Sequence, residues 1–140
     1  MAATLSNHFR YMLATKKIDF ANDVFLAIIL DDTFVFDPDT HATLPDITAK
    51  QLATGNGYTQ NNKTLTGVSV SEDDSINRCK ITWADPTWAA SGGEIGPLQS
   101  VAIVDDTTTD DTVVGCITND LVITVPDGKS FTVTDIEVQI

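Results

Sequence analysis

Ser100-Val101-Ala102-Ile103-Val104, Thr112-Val113-Val114-Gly115-Cys116-Ile117 and Leu121-Val122-Ile123-Thr124-Val125 follow one another in the second half of the chain, separated by Asp, Thr and Asn residues. β-Branched side chains fit a pleated, half-buried surface, and the polar breaks supply turn chemistry. Short strands at this spacing predict an antiparallel sandwich or barrel. The chain closes on Ser130-Phe131-Thr132-Val133-Thr134-Asp135-Ile136-Glu137-Val138-Gln139-Ile140. Phe131 and Val133 alternate with Thr, and the phase then shifts to Ile136, Val138 and Ile140. Side chains alternate between the faces of a strand, so this shift predicts a bulge or a change of partner near Asp135.

Working upstream, Lys63 to Ser71 and Ile76 to Trp83 read as antiparallel strands joined by the acidic Glu72-Asp73-Asp74-Ser75. Ala84 to Pro97 reads as a longer connection containing Trp88 and Ser91-Gly92-Gly93. Val24 to Leu30 is a continuous apolar run suited to a central strand, and Pro38 stops any strand beyond it. Thr43 to Ala53 has helix grammar, with Thr43 as cap, Pro45 and Asp46 in the first turn and Gly55 as a stop. Thr4 to Lys17 carries Leu5, His8, Phe9, Met12 and Leu13 at three- and four-residue spacing, which predicts an amphipathic helix capped by Thr4 or Ser6. At 140 residues the chain is long enough to bury a core without staples. The expectation is a mainly β fold in a single domain, 1-140. It is an antiparallel, jelly-roll-like β-sandwich with a short N-terminal helix and one further short helix. Residues 1-18 form that first helix and a candidate docking arm.

Twenty Asp and Glu against eight Lys and Arg give a formal net charge of -12. Binding to naked nucleic acid needs clustered cations, so this balance argues against it. Arg10, Lys16 and Lys17 all precede the first acidic residue, Asp19, and make the N-terminal segment locally basic. No run approaches the ~20 apolar residues that span a bilayer, and no signal-peptide pattern opens the chain. Membrane association is not expected, and the cytosol, or a particle assembled there, is the expected setting. Cys79 and Cys116 lie in separate predicted strands. They could bridge a sandwich, but two cysteines make no disulfide framework, and free buried thiols are the favoured reading.

Asp105-Asp106-Thr107-Thr108-Thr109-Asp110-Asp111 is the densest acidic cluster. It lacks EF-hand spacing, so a solvated connection is favoured over a calcium loop. Asp37, Asp39 and His41 suggest a transition metal only weakly, because no second His stands at ligand spacing. His8 and His41 lie in different elements, and no nucleophile elbow appears. The residues thus point away from an enzyme and call for no metal and no cofactor. Trp83 and Trp88 bracket Ala84-Asp85-Pro86-Thr87. Loop aromatics are enriched at interfaces, while the competing reading ends one strand in the core on Trp83 and covers the sandwich edge with Trp88.

The chain resembles the capsid cement, or decoration, proteins of tailed bacteriophages. The resemblance rests on the order of several segments. Asn7-His8-Phe9-Arg10-Tyr11-Met12-Leu13-Ala14 is followed by the apolar Val24 to Leu30 and by Gly55-Asn56-Gly57-Tyr58. Trp88-Ala89-Ala90-Ser91-Gly92-Gly93-Glu94-Ile95-Gly96-Pro97 and a strand ending at Ile140 complete it. It implies a structural virion protein on the capsid exterior, assembled in the host cytoplasm, that bridges major capsid protein subunits and stabilises the expanded shell, often as a homodimer. The alternative within the same setting is a tail- or fibre-associated binding module for carbohydrate or receptor. Phe9, Arg10, Lys16, Lys17, Trp83 and Trp88 are the candidate contact residues.

Overall fold

The computed structural model describes residues 1–140 and is mainly β, with 42% of residues in strands and 11% in helices. In chain order the elements are β1 (Thr4–Leu5), α1 (Asn7–Ala14), β2 (Phe25–Asp31), α2 (Leu44–Ile47), β3 (Ser69–Asp73), β4 (Arg78–Thr82), β5 (Thr87–Ala89), β6 (Ile95–Asp105), β7 (Thr112–Val125), β8 (Ser130–Thr132) and β9 (Glu137–Gln139). A 3₁₀ turn, Thr48–Lys50, continues α2. The strands pair antiparallel in sheets ordered β1-β7-β6-β2, β3-β4-β9 and β5-β8. The antiparallel sheets and two short helices agree with the expected mainly β fold, and the sheets pack in a sandwich-like way.

The β6–β7 hairpin carries the fold. The three apolar runs from Ser100 to Val125 form two strands, not three. Ser100 pairs with Thr118 and Leu98 with Ile123, so Asn119–Val122 bulge outward opposite Gln99 while β7 continues. Gln99 donates to the Asn119 carbonyl at 3.0 Å and Asn119 to that of Leu121 at 2.8 Å. These bonds let residues with turn character stay inside a ladder. Leu121 consequently stands 73% exposed.

β2 is buried along nearly its whole length because both faces of its sheet are covered. Phe25, Ala27 and Ile29 turn to the larger core with Val101, Ile103 and Ile117. Leu26, Ile28 and Leu30 turn the other way, against Ala102, Val104, Val113 and Cys116, and are roofed by Phe34, Leu44 and Ile47. A strand buried on both faces reads as a continuous apolar run, as Val24 to Leu30 does. Each full burial of such a side chain contributes about 1.5–3 kcal/mol. The larger core also takes Ile81 from β4, Trp88 from β5 and Val138 from β9, so it lies between the four-stranded sheet and the two smaller ones.

Residues ahead of α1 stitch the sheets together. Ala3 N–H donates to the Glu137 carbonyl at 3.0 Å, and Glu137 N–H to that of Met1 at 3.1 Å. The Met1 ammonium bonds the carbonyls of Thr134 and Asp135. Two residues further on, Thr4 and Leu5 pair with Cys116 and Gly115 of β7. A Cβ on Gly115 would lie 2.5 Å from the Thr4 carbonyl oxygen, which is why the crossing needs glycine. This pairing also shortens the predicted helix at its start. Ser6, not Thr4, is the cap: its buried hydroxyl accepts from Phe9 N–H at 2.9 Å and donates to the Val113 carbonyl at 2.6 Å. Lys16, at φ 61, turns the chain away after Ala14.

The phase shift near Asp135 marks a change of partner. Ser130–Thr132 pairs with β5, Asp135 takes φ 52, and Glu137–Gln139 then pairs with β4. The stretch from Ala84 to Pro97 contains β5 and the start of β6 rather than a bare connection. Both cysteines are free, and burial pushes the Cys116 thiol up to about 12.

Candidate functional site

The six candidate contact residues divide into two sets. Phe9 is fully buried on the inner side of α1, with its ring edge-on to Phe20 at 5.9 Å. Phe20 stacks on Phe25 at 5.2 Å, and Trp83 closes the cluster at 5.4 Å from Phe25. Trp88 alternates inward between the exposed Thr87 and Ala89, stacks on Phe131 at 5.7 Å and is covered by the Lys63 ammonium at 5.4 Å. Phe9, Trp83 and Trp88 therefore face the core rather than a partner, and their place in the contact set is corrected. The reason is aromatic area: large rings beside a core gain more from burial than a loop gains from displaying them. The reading of Trp83 as a strand end in the core and Trp88 as an edge cover describes both.

Arg10, Lys16 and Lys17 form the second set, and all are exposed. Arg10 and Tyr11, the latter at 63% exposure, stand on α1, and Lys16 and Lys17 follow just beyond its end. Arg10 is steadied by contacts to the Leu5 carbonyl at 3.4 Å and the Asn7 side chain at 3.3 Å. Lys80 pairs with Glu137, and His8 meets Asp110, so none of Arg10, Lys16 and Lys17 is neutralised internally. What fixes the helix beneath them is the Ser6 cap, the buried Phe9 and the 2.7 Å contact between His8 Nε2 and Asp110.

The loop from Asp105 to Asp111 is far from a simple solvated connection. Asp110 accepts from the Thr112 hydroxyl at 2.6 Å and the Thr108 hydroxyl at 3.3 Å, besides meeting His8. Partial burial pushes the Asp110 carboxyl up, but the bonds from Thr112, His8 and Thr108 outweigh it and hold the group below its ordinary value. Asp105 has the opposite fate. It is fully buried and meets the Asp23 carboxyl, and burial first, then Asp23, raises it to about 7. One of its oxygens accepts from Thr107 N–H at 2.9 Å, while the buried Oδ2 has no hydrogen-bond partner. Asp110 thus ties α1 to the β6–β7 turn through His8, while Asp105 braces the turn from within.

His41 is likewise engaged structurally. Its Nδ1 accepts from Asp37 N–H at 2.9 Å, and the ring packs 4.9 Å from Phe34. The chain brings no three His, Cys, Asp or Glu side chains into a metal-binding arrangement. Sequence reasoning missed the His8–Asp110 contact, which spans 102 positions, because no local pattern encodes so distant a meeting. No protein-family model, curated protein or solved structure matches this chain.

Proposed function

We propose that this protein is a structural virion component that binds the outside of a phage capsid and bridges major capsid protein subunits. The observation that carries the reading is the exposed, unneutralised Arg10, Lys16 and Lys17, the first on α1 beside Tyr11 and the two lysines just past the end of that anchored helix, on a body of net charge -12. Such polarity lets an acidic molecule repel its own kind in solution yet present one cationic face to an acidic patch. A lattice supplies many identical sites, so contacts weak in isolation accumulate to full occupancy. A protein that bridges neighbours only in the expanded shell stabilises that state by linkage, because it binds one form and not the other. The reading assigns the chain no catalysis, no metal and no cofactor. It places the protein on the capsid exterior, assembled in the host cytoplasm, as a homodimer.

The test is occupancy on purified expanded shells. Reversing Arg10, Lys16 and Lys17 to Glu should lower bound copies at least tenfold at 0.1 M salt, with thermal stability of the isolated chain unchanged. Equal occupancy of the variant would place the contact elsewhere and sink this assignment.

A further inference from the structure

The three-stranded sheet ends on an edge that nothing in the chain covers. β3 is bordered by β4 alone, and every residue from Ser69 to Glu72 is exposed. Cys79 exchanges both backbone hydrogen bonds with Ile140, so the neighbouring Arg78 and Lys80 turn theirs toward β3, opposite Asp73 and Ser71. Antiparallel ladders alternate, and the N–H and C=O groups of Val70 and Glu72 therefore point outward. The core-facing side chains tell the same story. Val138 and Ile81, paired across β9 and β4, are fully buried, but Val70, next in that row, is 53% exposed. The apolar row runs out of sheet.

Native proteins blunt such edges with bulges, inward charges or cover. β7 does so: its outer edge beyond Ile117 is broken by the Asn119–Val122 bulge. β3 has no bulge along its pairing with β4, and its carboxylates lie at one end, Glu72 and Asp73.

We propose that β3 is a self-complementary pairing edge, occupied by β3 of a second copy of this chain in an antiparallel two-fold arrangement centred on Val70. Three features favour that occupant. With Val70 opposite its twin, each Val70 exchanges both outward backbone bonds with the other, and Glu72 continues the ladder to Val68 on either side. In this register each Glu72 faces Val68 and each Asp73 faces Gly67, so no carboxylate opposes another; a centre at Glu72 would place like charges face to face. The apolar row becomes continuous, from Val138 through Ile81 and Val70 into the same three residues of the twin. A two-fold contact is closed and limits itself to a dimer. The inference rests on the homodimer of the proposed function and names its seam; a monomeric chain that still occupies shells would sink this seam and leave capsid binding standing.

The experiment combines sedimentation velocity across micromolar to millimolar protein with amide hydrogen exchange at both ends of that range. A monomer–dimer equilibrium is expected, with the Val70 and Glu72 amides protected only at high concentration. Val70→Asp sets two carboxylates opposite each other and should weaken dimerisation at least tenfold; unchanged thermal unfolding of the dilute monomer verifies its fold. Val70→Cys should give an oxidant-dependent covalent dimer that the parent chain does not form. A chain that stays monomeric throughout overturns the proposal. So does a dimer indifferent to Val70→Asp whose Val70 and Glu72 amides exchange freely, or an edge protected only when capsid shells are added.

Discussion

Asp105 holds an acid in a place where only its protonated form is comfortable. Its carboxyl is raised to about 7 by burial and by Asp23, against 3.8 for the ordinary group. The folded state therefore binds more protons than the unfolded state between those values, and stability from this residue is present in acid and lost as pH rises through about 7. Asp105→Asn keeps an acceptor for Thr107 N–H and offers Asp23 a donor. The variant should melt roughly 5 °C or more above the parent at pH 8 and no higher than it at pH 4.5. Calorimetry at the two pH values checks this, and a constant gap between them would remove Asp105 as the titrating group. Gly115 is as tightly specified for a different reason: its missing side chain is where β1 crosses.

At the scale of elements, α1 depends on one hydroxyl. Ser6→Ala removes the cap on Phe9 N–H and leaves the buried Val113 carbonyl short of a donor, at a cost of about 1–2 kcal/mol. Denaturant unfolding should show that loss, and exchange at Phe9 and Arg10 amides should accelerate first. The elements most legible in the sequence are those with local causes. Val24 to Leu30 announced β2 through its unbroken apolar run, Thr43 and Asp46 announced α2, and the Asp135 phase shift announced the partner change between β8 and β9. Asp46 does accept the Thr43 N–H and hydroxyl, at 2.9 and 3.0 Å. What escaped depends on partners far along the chain. Asn119-Asp120 looks like a turn until Gln99 is seen holding it in a bulge, and Thr4–Leu5 looks helical until β7 draws it into a ladder. In the candidate contact set, charge was readable and aromatic residues were not. Lys16 and Lys17 had to stay in water, whereas nothing local distinguishes a displayed tryptophan from a packed one.

The whole molecule carries a net charge of -12 within 15.1 kDa, and that self-repulsion opposes compaction at low ionic strength. Raising salt from about 10 to 150 mM shortens the screening length and should raise the melting temperature by a few degrees. A melting temperature that falls over this range would mean that specific pairs such as Lys80–Glu137, at 2.9 Å, outweigh the general repulsion. The same titration should strengthen association through β3. Finally, the bond from Ala3 to Glu137 sets an order in time. A ribosome exposes residue 3 long before residue 137, so the segment ahead of α1 waits as an open strand until β9 has been made. Its early neighbours offer it no ladder, because β7 and β9 both arrive late. Folding of this chain therefore waits on the synthesis of β9, and slow decoding anywhere before β9 prolongs the exposure of that strand to other nascent chains.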